Sequence, residues 1–198
     1  LPTIQDAVPH PLESGARFFQ YMAGFGITST SEMTYSTHML PAYEALTTRP
    51  DSPLRISLYH VVIDADAGVK VETPDPARLR KQGLKLWADG SPWVGSIASS
   101  FPYLDTPAVE KAEIPLGPGG TKMMNYSRVE LDAILAKYAP QGWQMSFHVN
   151  GDVGLDIVLD AYEEALNNNN LIGTDHRWRV EHCGGCRGDQ FQRAVDLG

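Results

Sequence analysis

Apolar positions along this chain alternate between two rhythms. Leu12 to Ala23 carries Ala16, Phe19 and Met22 at helical spacing, and Gly24 and Gly26 end the run. The β-branched stretch from Gly26 to Glu32 then reads as a strand, and Ser36 to Thr48 as a weaker helix with Pro41 in its first turn. Leu54 to Ile63 is a strand, Asp75 to Gln82 a short helix, and Gly83 to Asp89 a strand in which Leu84, Leu86 and Ala88 alternate with Lys85, Trp87 and Asp89. Residues 90 to 126 show no period and contain Pro92, Pro102, Pro107, Pro115 and Pro118. A stretch that long and irregular reads as a functional loop, and Trp93, Phe101 and Tyr103 argue that it is ordered.

Ser127 with Glu130 forms a capping box ahead of a helix carrying Leu131, Ile134, Leu135 and Tyr138. A strand follows Gly142 and ends near His148. Asp152 to Leu166 is the clearest helix, with Leu155, Val158, Leu159, Tyr162 and Leu166 on one face. Trp178 to His182 reads as a strand and Asp189 to Leu197 as a last helix. Strands thus begin near residues 26, 54, 84, 144 and 178, each followed by helix. Such alternation predicts a parallel sheet with helices outside it. No Gly-x-Gly-x-x-Gly follows the first strand, which counts against a dinucleotide fold, while an open flavodoxin-like sheet stands beside a barrel on pattern alone.

Composition narrows the class. The 198 residues are 42% hydrophobic and 20% charged, suited to one globular domain spanning residues 1–198. The net charge of −8 comes without a basic cluster, so nucleic acid is not an expected partner. No run of about 18 apolar residues exists, so no membrane partner is expected. No signal pattern is seen at the N-terminus, which points to the cytoplasm. The chain starts at Leu1 and stops at Gly198 just after a helical pattern, so we expect a piece of a longer protein cut at both ends.

Polar, metal-competent side chains fall near the C-terminal ends of three strands: Lys85, His148 and His182. Parallel α/β folds build their sites there. A lone histidine at a strand end is often structural, but two at matched positions suit a zinc site. His10, His38, His60 and His176 lack this placement and read as surface or packing residues. Asp152 either orients His148 or caps its helix. Asp89 and Trp93 are candidates for the surroundings of the metal or the substrate pocket. Lys85 either carries its amine to the rim or sits buried with a lowered pKa, in which state its neutral amine can add carbon dioxide. Cys183-Gly-Gly-Cys186 is a Cys-x-x-Cys without a second pair, so it reads as two loop cysteines beside the site, or else as a redox pair.

The stretches Gly26-Ile-Thr28, Leu84-Lys-Leu-Trp-Ala-Asp-Gly-Ser91, Gly142 to Asp152 and Arg179-Val-Glu-His182 together resemble the metal-dependent amidohydrolase superfamily. They are most similar to its YtcJ-like branch, which includes N-substituted formamide deformylases. The resemblance covers most of the chain, and Cys183 to Cys186 lies outside it. It implies a (β/α)8 TIM-type barrel of which strands 2 to 6 are present. It further implies that Lys85, carboxylated, together with His148 and His182 holds a divalent metal, zinc by preference, with one or two ions in the full-length protein. The superfamily's His-x-His would lie before Leu1 and its general-base aspartate after Gly198. The implied activity is hydrolysis of C–N bonds in a small amide-type substrate. The open sheet is expected to be covered by missing strands, by a partner chain or by another copy in a homo-oligomer. The alternatives from the residues are a non-catalytic α/β domain with structural histidines, and a redox protein using Cys183 and Cys186.

Overall fold

The computed structural model describes residues 10–198, which divide into two compact units meeting at Gly83 and Leu84. Each unit repeats the strand and helix alternation.

The first unit opens with helix α1, Pro11–Gly24, which the His10 side chain caps at Leu12. Pro11 sits in the first turn, where its missing N–H costs nothing. Strand β1 is Ser29–Tyr35, helix α2 is Leu40–Thr47 behind a 3-10 turn at Thr37–Met39, and strand β2 is Arg55–Val61. Pro41 lies in the first turn of α2. The first strand starts three residues later than its β-branched pattern suggested. Gly26, at φ +82°, donates its N–H to Ala23 and extends the close of α1. Strands β1 and β2 pair parallel, with Thr30 opposite Ile56 and Glu32 opposite Leu58. Phe19, Tyr35, Leu46, Leu54, Ile56, Leu58 and Leu79 close the core.

The helix expected over Asp75 to Gln82 does not form. Arg78 and Leu79 donate to the Asp75 carbonyl in a single turn, and strand β3 then runs Leu79–Trp87. Ile56 takes the Arg78 carbonyl at 2.7 Å, so a neighbouring strand offers these residues a ladder. The segment has no apolar stripe with which to repay a helix nucleus. Local propensity yields to pairing.

The second unit holds the end of β3, a loop with the short helix α3 (Pro107–Lys111), helix α4 (Arg128–Tyr138), strand β4 (Gln144–Gly151), helix α5 (Asp152–Asn168), strand β5 (Arg179–Gly185) and helix α6 (Gly188–Leu197). The Ser127–Glu130 capping box forms as its spacing predicts. Ala88 donates to the His148 carbonyl at 2.9 Å, joining β3 to β4, and β4 pairs parallel with β5, with Phe147 opposite Val180 and Val149 opposite His182. The hydrogen-bonded order of the strands follows the chain, β1-β2-β3-β4-β5. Each strand therefore lies beside its successor, as successive βα units dictate.

Helix α5 buries Leu155, Val158, Leu159, Tyr162 and Leu166. The Tyr162 ring sits 4.8 Å from Phe147 of β4 and 5.2 Å from Trp178 just ahead of β5, so the helix is anchored by aromatic contacts. Among the described residues no helix is long and apolar enough to cross a membrane.

Candidate metal centre

Strands β3, β4 and β5 each bring one of the expected residues to the second unit. Lys85 is buried, 3% exposed, in the interior of β3. Its ammonium lies 5.5 Å from the centre of the Trp87 ring. Burial lowers its pKa to about 8, with Glu181 opposing the shift and Arg179 adding to it. The rings of His148 and His182 stand edge to face with centroids 4.6 Å apart. His182 itself is exposed, and partial desolvation, then the nearby His148 and Lys85, hold its pKa below its usual value. The ring contact joins His148 to His182, and Lys85 is tied to His182 through its charge.

The surroundings of His148 define its tautomer. Its Nε2 lies 2.8 Å from the Gly90 carbonyl, so Nε2–H donates there and Nδ1 keeps its lone pair. A metal-bound histidine characteristically donates its other ring N–H to a carbonyl or carboxylate. The donor set of two imidazoles and one buried lysine, with one ring already anchored in this way, fits a divalent metal. The Asn150 amide approaches the same Nε2 at 3.1 Å and also donates to the Gly90 carbonyl.

Asp89 is fully buried at the end of β3. Its carboxylate accepts three backbone N–H groups, from Ala98 at 3.0 Å, Asn150 at 2.9 Å and Gly151 at 2.8 Å, and passes 3.7 Å from His148 Nε2. It ties the end of β3 to the end of β4 and to the loop between them. Asp152 is placed differently. Its carboxylate accepts from the backbone and hydroxyl of Ser100 and pairs with Arg187 at 3.1 Å, so it holds the loop and the start of α6. It does not cap α5, whose N-cap is Gly151 without a side-chain cap. Trp93, 84% exposed, stands in a 3-10 turn of the loop, and Tyr103 ties that turn down through the Pro92 carbonyl.

Two features escaped the sequence reading. Glu181 accepts from Ser146 at 2.6 Å and Arg179 at 2.5 Å and is the acidic group that attracts Lys85. Its position, one residue before His182 on a strand, gave no signal of this. In the first unit, His60 is fully buried, with Nε2 3.0 Å from Asp64 and 3.6 Å from Asp66. The three groups lie close enough to share a cation. A metal on Nε2 would, however, move the ring proton to Nδ1, which is buried without a partner. The arrangement suits Nε2–H donating to Asp64, and Ser36 and Thr37 donate to the two aspartates. His60 is thus a buried donor, as a packing residue can be, and the His60-x-x-x-Asp64-x-Asp66 spacing was the available clue. The first unit also holds a cavity of about 550 Å³ lined mainly by α1, β1 and α2, which includes none of the residues expected at the metal site.

A family model described as the amidohydrolase family matches residues 12–198. The chain belongs to the amidohydrolase family. Among solved structures, this amidohydrolase-family chain is similar to an uncharacterized metal-dependent hydrolase from Pyrococcus horikoshii, at 25% identity and a TM-score of 0.70, covering 99% of this chain and 36% of that one. A second, an uncharacterized metal-dependent hydrolase from Pyrococcus furiosus, shares the fold at 24% identity and a TM-score of 0.69, covering 100% of this chain and 37% of its own. The chain therefore spans little more than a third of the length of these solved relatives. No curated protein matches it.

Proposed function

We propose that this chain is the part of a metal-dependent hydrolase that supplies Lys85, His148 and His182 to one divalent metal, zinc by preference. The observation that carries the reading is the His148–His182 ring pair, 4.6 Å apart on adjacent parallel strands, in a chain of the amidohydrolase family. On this reading the five strands are strands 2 to 6 of a (β/α)8 barrel. The bond cleaved is a C–N bond of a small, non-peptide amide.

The metal would supply Lewis acidity toward a carbonyl and toward water. The chain's own residues do the rest of the positioning. The Gly90 carbonyl holds the His148 ring through Nε2, which leaves Nδ1 as the nitrogen that would bind the metal. Asp89, through three backbone N–H groups, fixes the strand ends that carry the site. The buried Lys85 amine, with its pKa lowered to about 8, adds carbon dioxide to give a carbamate and one released proton, and so becomes an anionic ligand. The loop from Ser91 to Tyr126 brings aromatic side chains toward the substrate, with Phe101 packed against Gly185 at the end of β5.

The test is metal content. The chain is stripped with chelator, reloaded with zinc and measured by mass spectrometry, alongside His148→Ala and His182→Ala. Near one retained equivalent in the parent and a loss of at least about tenfold in affinity in each variant are expected. Folded protein that keeps no zinc, or variants that keep as much as the parent, would sink the reading. The bond specificity is checked separately, by comparing turnover of N-substituted formamides with matched esters by the full-length gene product.

A further inference from the structure

Cys183 and Cys186 have no place in the hydrolase reading, yet the structure builds a specific setting for them. Strand β5 follows β4 in register as far as Val149 opposite His182, then skips, so that Gly185 is next to oppose Gly151. Asn150 alone faces Cys183 and Gly184. A bulge of this kind bends its strand and re-aims side chains. His182 at φ +79° and Cys183 at φ +53° both lie in the left-handed region that non-glycine residues seldom occupy. Such conformations persist where surrounding structure holds them.

The bulge ends in a turn. Cys186 N–H donates to the Cys183 carbonyl at 3.4 Å, the i to i+3 bond of a β-turn, with glycines at both central positions. A β-turn keeps its end Cα atoms within about 7 Å, and disulfide-bonded cysteines span a similar range. The turn therefore brings the two cysteines within bridging range of each other. Both cysteines are free and half-buried, open to a small reagent. The Cys186 thiol also lies 3.9 Å from the Asn150 carbonyl, and the Asn150 side chain touches His148.

We propose that Cys183 and Cys186 are a redox-active dithiol that closes to a disulfide by exchange with a low-molecular-weight disulfide such as oxidised glutathione. One thiolate attacks a sulfur of the small disulfide and releases a thiol. The second cysteine then attacks the mixed disulfide, forms the Cys183–Cys186 bond and expels the other half as a second thiol. The protein loses two protons and two electrons, and the small disulfide takes them up. Closure removes the Cys186 S–H that faces Asn150 and ties the turn directly to the residue after His182. The dithiol stands whether or not the hydrolase reading does.

The experiment uses the reduced full chain in buffers of graded glutathione ratio, acid-quenched, alkylated and analysed by intact mass and peptide mapping. The expected product is an intramolecular Cys183–Cys186 disulfide that forms without denaturant and is reopened by reduced glutathione. Cys183→Ser and Cys186→Ser should each instead accumulate a stable mixed disulfide. On closure the His182 imidazole resonances should shift while those of His176 stay in place. Wild-type chain that stops at the mixed disulfide, oxidises only when unfolded, or closes without moving His182 would overturn the proposal.

Discussion

Asp89 and Gly151 lie 62 residues apart and are joined by a 2.8 Å hydrogen bond from the Gly151 N–H to the Asp89 carboxylate. The same carboxylate holds the N–H groups of Asn150 and Ala98. One side chain therefore aligns the ends of two strands and the loop that leaves β3. Asp89→Asn should break this arrangement, because its NH2 must face at least one of three buried donors. Hydrogen bonds to a charged acceptor contribute about 1.5–3 kcal/mol, and an orphaned buried donor costs about 1–3 kcal/mol. We expect a loss of about 2–4 kcal/mol in a denaturant melt, with the affinity for the proposed metal falling alongside. A loss below roughly 0.5 kcal/mol, the range of an ordinary surface change, would show that Asp89 has no such role.

Helix α5 offers a test of the core. Leu159 is 2% exposed and lies on the face that also buries Leu155 and Tyr162. Leu159→Ala removes buried methyl groups and leaves a cavity between helix and sheet. The expected cost is about 2–5 kcal/mol by equilibrium unfolding. Stability unchanged within about 0.5 kcal/mol would mean that this face is not packed.

The strength of such patterns explains what the sequence showed and what it hid. Five strands and the helix from Asp152 were legible because apolar periods of two and 3.6 follow directly from burying one face. The Ser127 cap was legible because its chemistry is local. The helix expected over Asp75 to Gln82 was misread because its competitor, the β2 ladder at Ile56, lies elsewhere in the chain. At the site, Lys85, His148 and His182 stood out because polar groups interrupt apolar strands. Asp89 and Asp152 look alike in sequence, each an acid near a strand end. Only the fold shows that one binds three backbone N–H groups and the other Ser100 and Arg187. The register skip opposite Asn150 has no sequence mark except the two glycines between the cysteines.

The buried lysine predicts a pH dependence. Its pKa falls to about 8 in the folded chain, from about 10.4 when unfolded. Below pH 8 both states carry the proton, and the cost of burying the charge is fully present. Between about 8 and 10.4 the folded state has released its proton while the unfolded state keeps it, so stability rises with pH. Lys85→Met removes this contribution, and the two other groups it influences, Glu181 and His182, both held below their usual values, titrate below this window. In carbon-dioxide-free buffer, the stability of the parent relative to Lys85→Met should therefore rise by about 2 kcal/mol across that window. Parallel stability curves for the two proteins would contradict a buried, titrating Lys85.

Gly151 marks a close approach of backbone to backbone. A Cβ at this position would meet the Ala98 carbonyl oxygen at 2.0 Å and its carbon at 2.2 Å. Neither atom can retreat cheaply. The Ala98 N–H is held by Asp89, and its carbonyl accepts the Gly154 N–H at 3.1 Å inside the first turn of α5. Moving Ala98 would therefore break the loop's hold on β4 and disturb the start of the helix. Overpacking in a core generally costs about 1–3 kcal/mol through shifted side chains, and a clash with pinned backbone should reach or exceed the top of that range. Gly188→Ala is the control, since a Cβ there meets nothing within 4 Å at the first position of α6. Gly151→Ala should lower unfolding stability by at least about 3 kcal/mol and weaken the metal binding proposed for His148, while Gly188→Ala should stay within about 0.5 kcal/mol of the parent. If Gly151→Ala melted like the control, the loop carrying Ala98 would not be seated on the end of β4, and the support inferred for His148 would be lost with it.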